Sequence, residues 1–174
     1  MKKLFALLIL TIISACVRMK KNCVNANKIE KKSTEYLVSK SDSIFAIRES
    51  EREQKAELEK QGIISDINFE SNIYFNQNCF TTEKLEFAYC AIGAMLKNEN
   101  LRIRIIGNLD KFELKNNPEL SLKRAEFVQM IMIKNGIKKN RIEILDVKND
   151  RPNAPLNEKG RKENRRTDFE IINE

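Results

Sequence analysis

Apolar and polar positions are spaced differently in successive stretches of the chain. Leu4 to Ile13 is an almost unbroken apolar run. Asn22 to Ser43 is polar, with scattered apolar residues and no sustained period. Ser43 to Gln61 reads as a charged helix, in which residues such as Arg48, Glu49, Arg52, Glu53, Lys55 and Glu59 set opposite charges at near-neighbour helical spacing. Apolar positions are sparse there after Ile47, so the segment is expected to be solvent-exposed or partly disordered. Gly62 supplies a stop.

From Ile63 onward the pattern becomes periodic. Ile67 to Phe75 has strand character. Thr81 is placed to cap a helix that carries Leu85, Ala88, Ile92, Met95 and Leu96 on one face. Leu101 to Ile105 alternates apolar and basic residues, the mark of a half-buried strand that Gly107 ends. Asn117 and Pro118 fit the cap and first position of a second helix, which Gly136 closes. Arg141 to Val147 is a third strand. A polar loop with Pro152 and Pro155 leads to a short helix over Glu158–Glu163, and Thr167–Ile172 is the last strand. The order β-α-β-α-β-(α)-β predicts one sheet of about four strands backed by helices.

The N-terminus adds a compartment. Met1-Lys2-Lys3 is a basic lead, and the apolar run behind it is too short to span a bilayer comfortably. Ile13-Ser14-Ala15-Cys16 then resembles the lipobox of bacterial lipoproteins. That resemblance implies cleavage of a signal peptide at residues 1–15 and lipid attachment at Cys16. An ordinary secretory signal or an uncleaved anchor is the competing reading. Val17 follows the cysteine, and the absence of aspartate there favours the outer membrane, with the domain facing the periplasm. Residues 16–62 are then a lipid-anchored tether and 63–174 the folded domain.

Charge changes this picture little. The chain carries +7 formally, with a pI near 9.2. Removal of residues 1–15 takes away Lys2 and Lys3 and no acid. For an exported chain the acidic partners are cell wall and lipid head groups, and nucleic acid is not expected. With Cys16 lipidated, Cys23, Cys79 and Cys90 remain. Cys79 and Cys90 are the candidate pair in an oxidising compartment. Against it, the intervening helix would separate them by about 12 Å along its axis. A disulfide needs Cα atoms within about 7 Å. There is no C-x-x-C, and no cofactor or metal is implied.

One residue breaks the apolar pattern. On a helical wheel Arg124 falls about 40° from Leu120, inside the stripe of Leu120, Phe127, Val128 and Ile131. An ionised group there needs a partner or a ligand. Asp110, in the loop that leads into this helix, is the natural partner. The two would form either a plain structural ion pair or a zwitterionic site for a ligand that bears an ammonium and a carboxylate.

Several segments bear on that choice: Gly107-x-x-Asp110, Asn117-x-x-Leu120-Ser121-x-x-Arg124-Ala125-x-x-Val128, Gly136-Ile137 followed by Arg141-Ile142, and Gly160-Arg161-x-x-Asn164-Arg165-Arg166. In this order and spacing they resemble the OmpA-like C-terminal domain of peptidoglycan-associated lipoproteins and flagellar stator proteins. The resemblance implies an α+β fold with a single mixed sheet. It also implies a wall-binding site, in which Asp110 takes the ammonium and Arg124 the carboxylate of diaminopimelate in the peptidoglycan stem peptide. Asn117 shapes the binding loop, and Arg165 lies near the same site. Asn108 stands where the family usually has histidine, and Leu109 follows it. The loop to Asn117 is one residue short and carries Phe112-Glu113 where the family usually has glycine.

The implied function is an outer-membrane lipoprotein that ties the membrane noncovalently to peptidoglycan. The alternative is a scaffold in an envelope complex, its altered loop having lost wall binding. An enzyme is the least supported class. The chain has no histidine, and no separated acid pair stands out in the domain.

Overall fold

The computed structural model describes residues 23–60, 72–150, 154–155 and 157–172. The predicted signal segment, Cys16, Gly62 and residues 67–71 of the predicted first strand lie outside them. The elements are α1 (Thr34–Lys60), β1 (Ile73–Tyr74), α2 (Glu86–Lys97), β2 (Arg102–Asn108), α3 (Lys111–Asn116), α4 (Leu120–Lys134), β3 (Ile142–Lys148), α5 (Glu158–Asn164) and β4 (Arg166–Ile172). Their strands form one four-stranded mixed sheet in the order β1-β4-β2-β3. β2 runs parallel to β3 and antiparallel to β4, and β4 is antiparallel to β1.

Alternation along β2 sorts its residues between two faces. Ile103 and Ile105 point into the core with Ala88, Ile92 and Met95 of α2 and Phe127, Val128 and Ile131 of α4. Arg104 takes the other face, where it meets Glu143 of β3 at 2.9 Å and Glu170 of β4 at 3.4 Å. These are direct cross-strand neighbours in register, so opposite charges reinforce the strand order. α4 lies across β2 and β3. A Cβ at Gly107 would stand 2.1 Å from the Ser121 carbonyl oxygen, so glycine is what allows β2 to meet the first turn of α4 this closely.

The helix ends differ in part from the sequence reading. Gly136 closes α4 as predicted: its N–H bonds the Ile133 carbonyl at 3.0 Å, and the Ile137 N–H bonds that of Met132 at 3.1 Å, a Schellman pair. Thr81 does not cap α2. Its hydroxyl donates to the Val24 carbonyl at 2.6 Å, and Leu85 opens the helix without a side-chain cap. Asn117 does not cap α4 with its side chain either. Its carbonyl accepts from the Leu120 N–H at 3.1 Å, and the helix starts at Leu120 after a turn through Pro118. The segment between Asp110 and Asn117 is not a plain loop but the short helix α3, which Asp110 caps.

The packed body reaches upstream of residue 63. α1 begins nine residues before the predicted helix, at Thr34 rather than Ser43, and lies along α2. Leu37 and Ile29 are buried in the core. A Cβ at Gly93 would come within 2.0 Å of the Leu37 carbonyl oxygen, so a glycine lets α1 and α2 touch through their backbones. The Lys32 N–H donates to the Asn135 side chain at 2.8 Å, and Lys134 donates to the Ile29 carbonyl. Cys23 is bonded to Cys79, with Cα atoms 5.3 Å apart, and Cys90 is the buried free thiol. The candidate pair Cys79–Cys90 is therefore replaced by one that staples residue 23 to the loop ahead of α2. No helix among the described residues is long and apolar enough to cross a membrane.

Candidate functional site

β2 delivers the chain to Asp110 at the end of the sheet, and everything charged in the site follows from how Asp110 is used. Its Oδ1 accepts from the Glu113 N–H at 2.7 Å, which caps α3. Its Oδ2 accepts from Arg165 Nη1, also at 2.7 Å. Capping fixes the first turn of α3 and turns the Glu113 side chain inward, where it is fully buried.

Glu113 meets Arg124 there. Arg124 Nη2 and Nη1 donate to its two carboxylate oxygens at 2.7 and 2.8 Å, a bidentate fork. The remaining arginine contacts go to backbone. Nε donates to the Cys79 carbonyl and Nη1 to the Asn108 carbonyl, both at 3.0 Å. The guanidinium also lies 5.1 Å from the centre of the Phe75 ring, within cation–π range. Arg124 and Glu113 both have 0% exposure. Burial of two charges is tolerated because each is paired and hydrogen-bonded.

A second layer holds Glu113 from the other side. Its Oε1 accepts from the Asn78 backbone N–H at 2.8 Å. Asn78 adopts φ +58, a left-handed conformation that asparagine tolerates better than most residues. The Asn117 side chain donates to that of Asn78 at 3.3 Å. Arg165 is 8% exposed, the most of the four charged residues in the cluster. Its Nε reaches toward the Phe75 carbonyl at 3.4 Å, and it lines an open cleft of about 410 Å³ with Tyr74, Asn76, Thr82, Lys84 and Lys162.

No protein-family model matches this chain, and no curated protein does. Solved structures do. The peptidoglycan-associated lipoprotein of Burkholderia pseudomallei superposes with a TM-score of 0.54 at 22% identity, over 58% of this chain and 89% of that one. The C-terminal domain of Helicobacter pylori MotB gives 0.54 at 19% identity, over 59% of this chain and 84% of that one. The chain has the OmpA-like fold.

Within this OmpA-like domain, the residues singled out from sequence are gathered at the C-terminal end of β2. Asp110, Arg124, Asn117 and Arg165 all belong to the network just described. Asn108 contributes its carbonyl to Arg124, while its side chain turns to Asp168 at 2.9 Å on β4. The expected direct pairing of Asp110 with Arg124 is not what forms. Each takes another partner, because the α3 cap commits Asp110 to the helix start and leaves Glu113 to reach the arginine.

The residues that sequence reasoning missed are Glu113 and Asn78. Asp110-x-x-Glu113 has the spacing of an N-cap followed by an acid at the third helical position, a signal for the short helix. Nothing local in the sequence marks Asn78, which joins through chain folding 35 residues from Glu113.

Proposed function

We propose that this chain is an outer-membrane lipoprotein, anchored through Cys16, whose OmpA-like domain binds peptidoglycan noncovalently and ties the membrane to the wall. Its ligand is the diaminopimelate of the stem peptide. In this reading Asp110 takes the ammonium and Arg124 the carboxylate, with Asn117, Asn108 and Arg165 shaping the site around them. The observation that carries the reading is that Arg165, which lines one cleft in this fold, is paired with Asp110, with Arg124 buried in the same network behind them. A neighbour in fold is, by name, a peptidoglycan-associated lipoprotein. The neutral sum of two carboxylates and two guanidiniums matches a zwitterionic ligand better than a simple ion. The test is co-sedimentation of the full chain with purified diaminopimelate-containing sacculi, with free meso-diaminopimelate as competitor. Pelleting that the free amino acid suppresses is the expected result.

The burial of Arg124 by Glu113 favours a second reading, a scaffold within an envelope complex that has given up wall binding. It predicts no pelleting with sacculi and specific capture of envelope proteins by the native chain.

A further inference from the structure

The geometry points to Glu113 as a built-in stand-in for the ligand's carboxylate, which closes the arginine site from within and sets what the site accepts. The inference rests on the wall-binding reading for its ligand, but not for its structural basis. Arg124 presents a planar fork that suits one carboxylate, and the Glu113 carboxylate fills it with paired contacts of 2.7 and 2.8 Å. The same carboxylate takes a third hydrogen bond from the Asn78 N–H at 2.8 Å. With both partners at 0% exposure, no face of the fork is left to solvent. An external carboxylate can therefore reach Arg124 only when Glu113 leaves.

That exit has a defined route. Glu113 sits on a helix of one to two turns, Lys111–Asn116, held at its start by the Asp110 cap and at its end by the Asn117 N–H to the Glu113 carbonyl at 2.7 Å. Movement of α3 carries Glu113 off Arg124 and loosens Asp110 from its capping role together. Both charges then become available to one ligand. Apparent affinity falls by the fraction of molecules in which α3 is open, so Glu113 tunes affinity downward without touching the ligand. It also selects ligands. A carboxylate alone would merely exchange for Glu113, whereas a zwitterion gains a contact at Asp110 as well.

The test uses the full chain and three forms, wild type, Glu113→Gln and Glu113→Ala, with two probes. Calorimetric titration with meso-diaminopimelate should show tighter binding by both variants, by about tenfold or more if the closed form dominates. Sodium acetate, against sodium chloride at equal ionic strength, should raise the melting temperature of Glu113→Ala by refilling the fork. It should leave that of wild type unchanged. Equal diaminopimelate affinity in all three forms overturns the inference and leaves the wall-binding reading standing. Acetate rescue of Glu113→Ala with no diaminopimelate binding by any form supports the inference and removes the wall ligand instead. Failure of both probes on Glu113→Ala overturns it. If Glu113→Ala folds only when acetate is present, that dependence is itself the expected rescue, and Glu113→Gln, which keeps the side chain's shape, carries the titration.

Discussion

Asp110 holds the guanidinium of Arg165, at 2.7 Å, and not that of Arg124. The site is therefore two ion pairs set side by side, Asp110–Arg165 at the rim and Glu113–Arg124 beneath it. The pairs differ in exposure: the Arg165 side chain is 10% exposed and that of Arg124 is 0%. The outer pair meets solvent first, and the inner one is shielded.

Asp110 has two tasks that substitution can separate. Asp110→Asn keeps an oxygen to cap α3 but leaves Arg165 without its counter-charge. The expected loss is about 3 kcal/mol, at the low end for breaking a buried pair because Arg165 lies at the rim. Asp110→Ala also removes the cap and should cost about 1 kcal/mol more. Urea unfolding of the two variants measures the difference. Equal stability would mean that the cap contributes nothing.

The disulfide ties Cys23 to Cys79 across a sequence separation of 56 residues. Closing a loop of that length in the unfolded chain stabilises the fold by about 4 kcal/mol in the chain-entropy view. Cys23→Ser, or mild reduction, should lower the melting temperature and release the segment around Val24 from Thr81. Calorimetry with and without reductant measures the first effect. Amide exchange at residues 24–32 measures the second.

Cys90 should be inert in the folded protein. Burial pushes its thiol pKa up, opposed in part by Lys40 and Arg48, and only 6% of the residue is exposed. A raised pKa leaves little thiolate at neutral pH, and thiolate is the reactive form. Iodoacetamide at pH 7 should leave Cys90 unmodified until denaturant is added. Rapid labelling of the native chain at Cys90, seen by mass spectrometry, would contradict this.

Gly107 should tolerate no side chain. A Cβ there lies 2.1 Å from the Ser121 backbone oxygen, so Gly107→Ala must push α4 away from β2. The expected cost is about 1–3 kcal/mol, typical of overpacking. Because the same turn of α4 leads to Arg124, crosspeaks of Arg124 and Glu113 should also shift in NMR spectra.

Much of this was legible in the sequence, for physical reasons that also explain the gaps. Ile103 and Ile105 alternate with arginines, so β2 could be read from period alone. Arg124 declared itself by sitting in an apolar stripe. Its partner did not, because two acids lay within reach and the choice turned on α3, a helix too short to leave a periodic trace. The cysteines were similar. Axial rise argued against Cys79–Cys90, but the true partner lay in a polar segment whose few apolar residues, Ile29 and Leu37 among them, showed no period. Leu37 is buried where α1 and α2 touch through their backbones at Gly93, a contact that local pattern does not encode.

The central claim, that this domain binds the wall through Arg124, is tested most directly by calorimetric titration of meso-diaminopimelate into the full chain. The control is the double variant Glu113→Leu/Arg124→Met. Replacing both charges of a buried pair with apolar groups of similar size is commonly neutral for stability, so the control should stay folded. The account predicts saturable heat from wild type and none from the double variant. No heat from wild type, or equal heat from both, would contradict it.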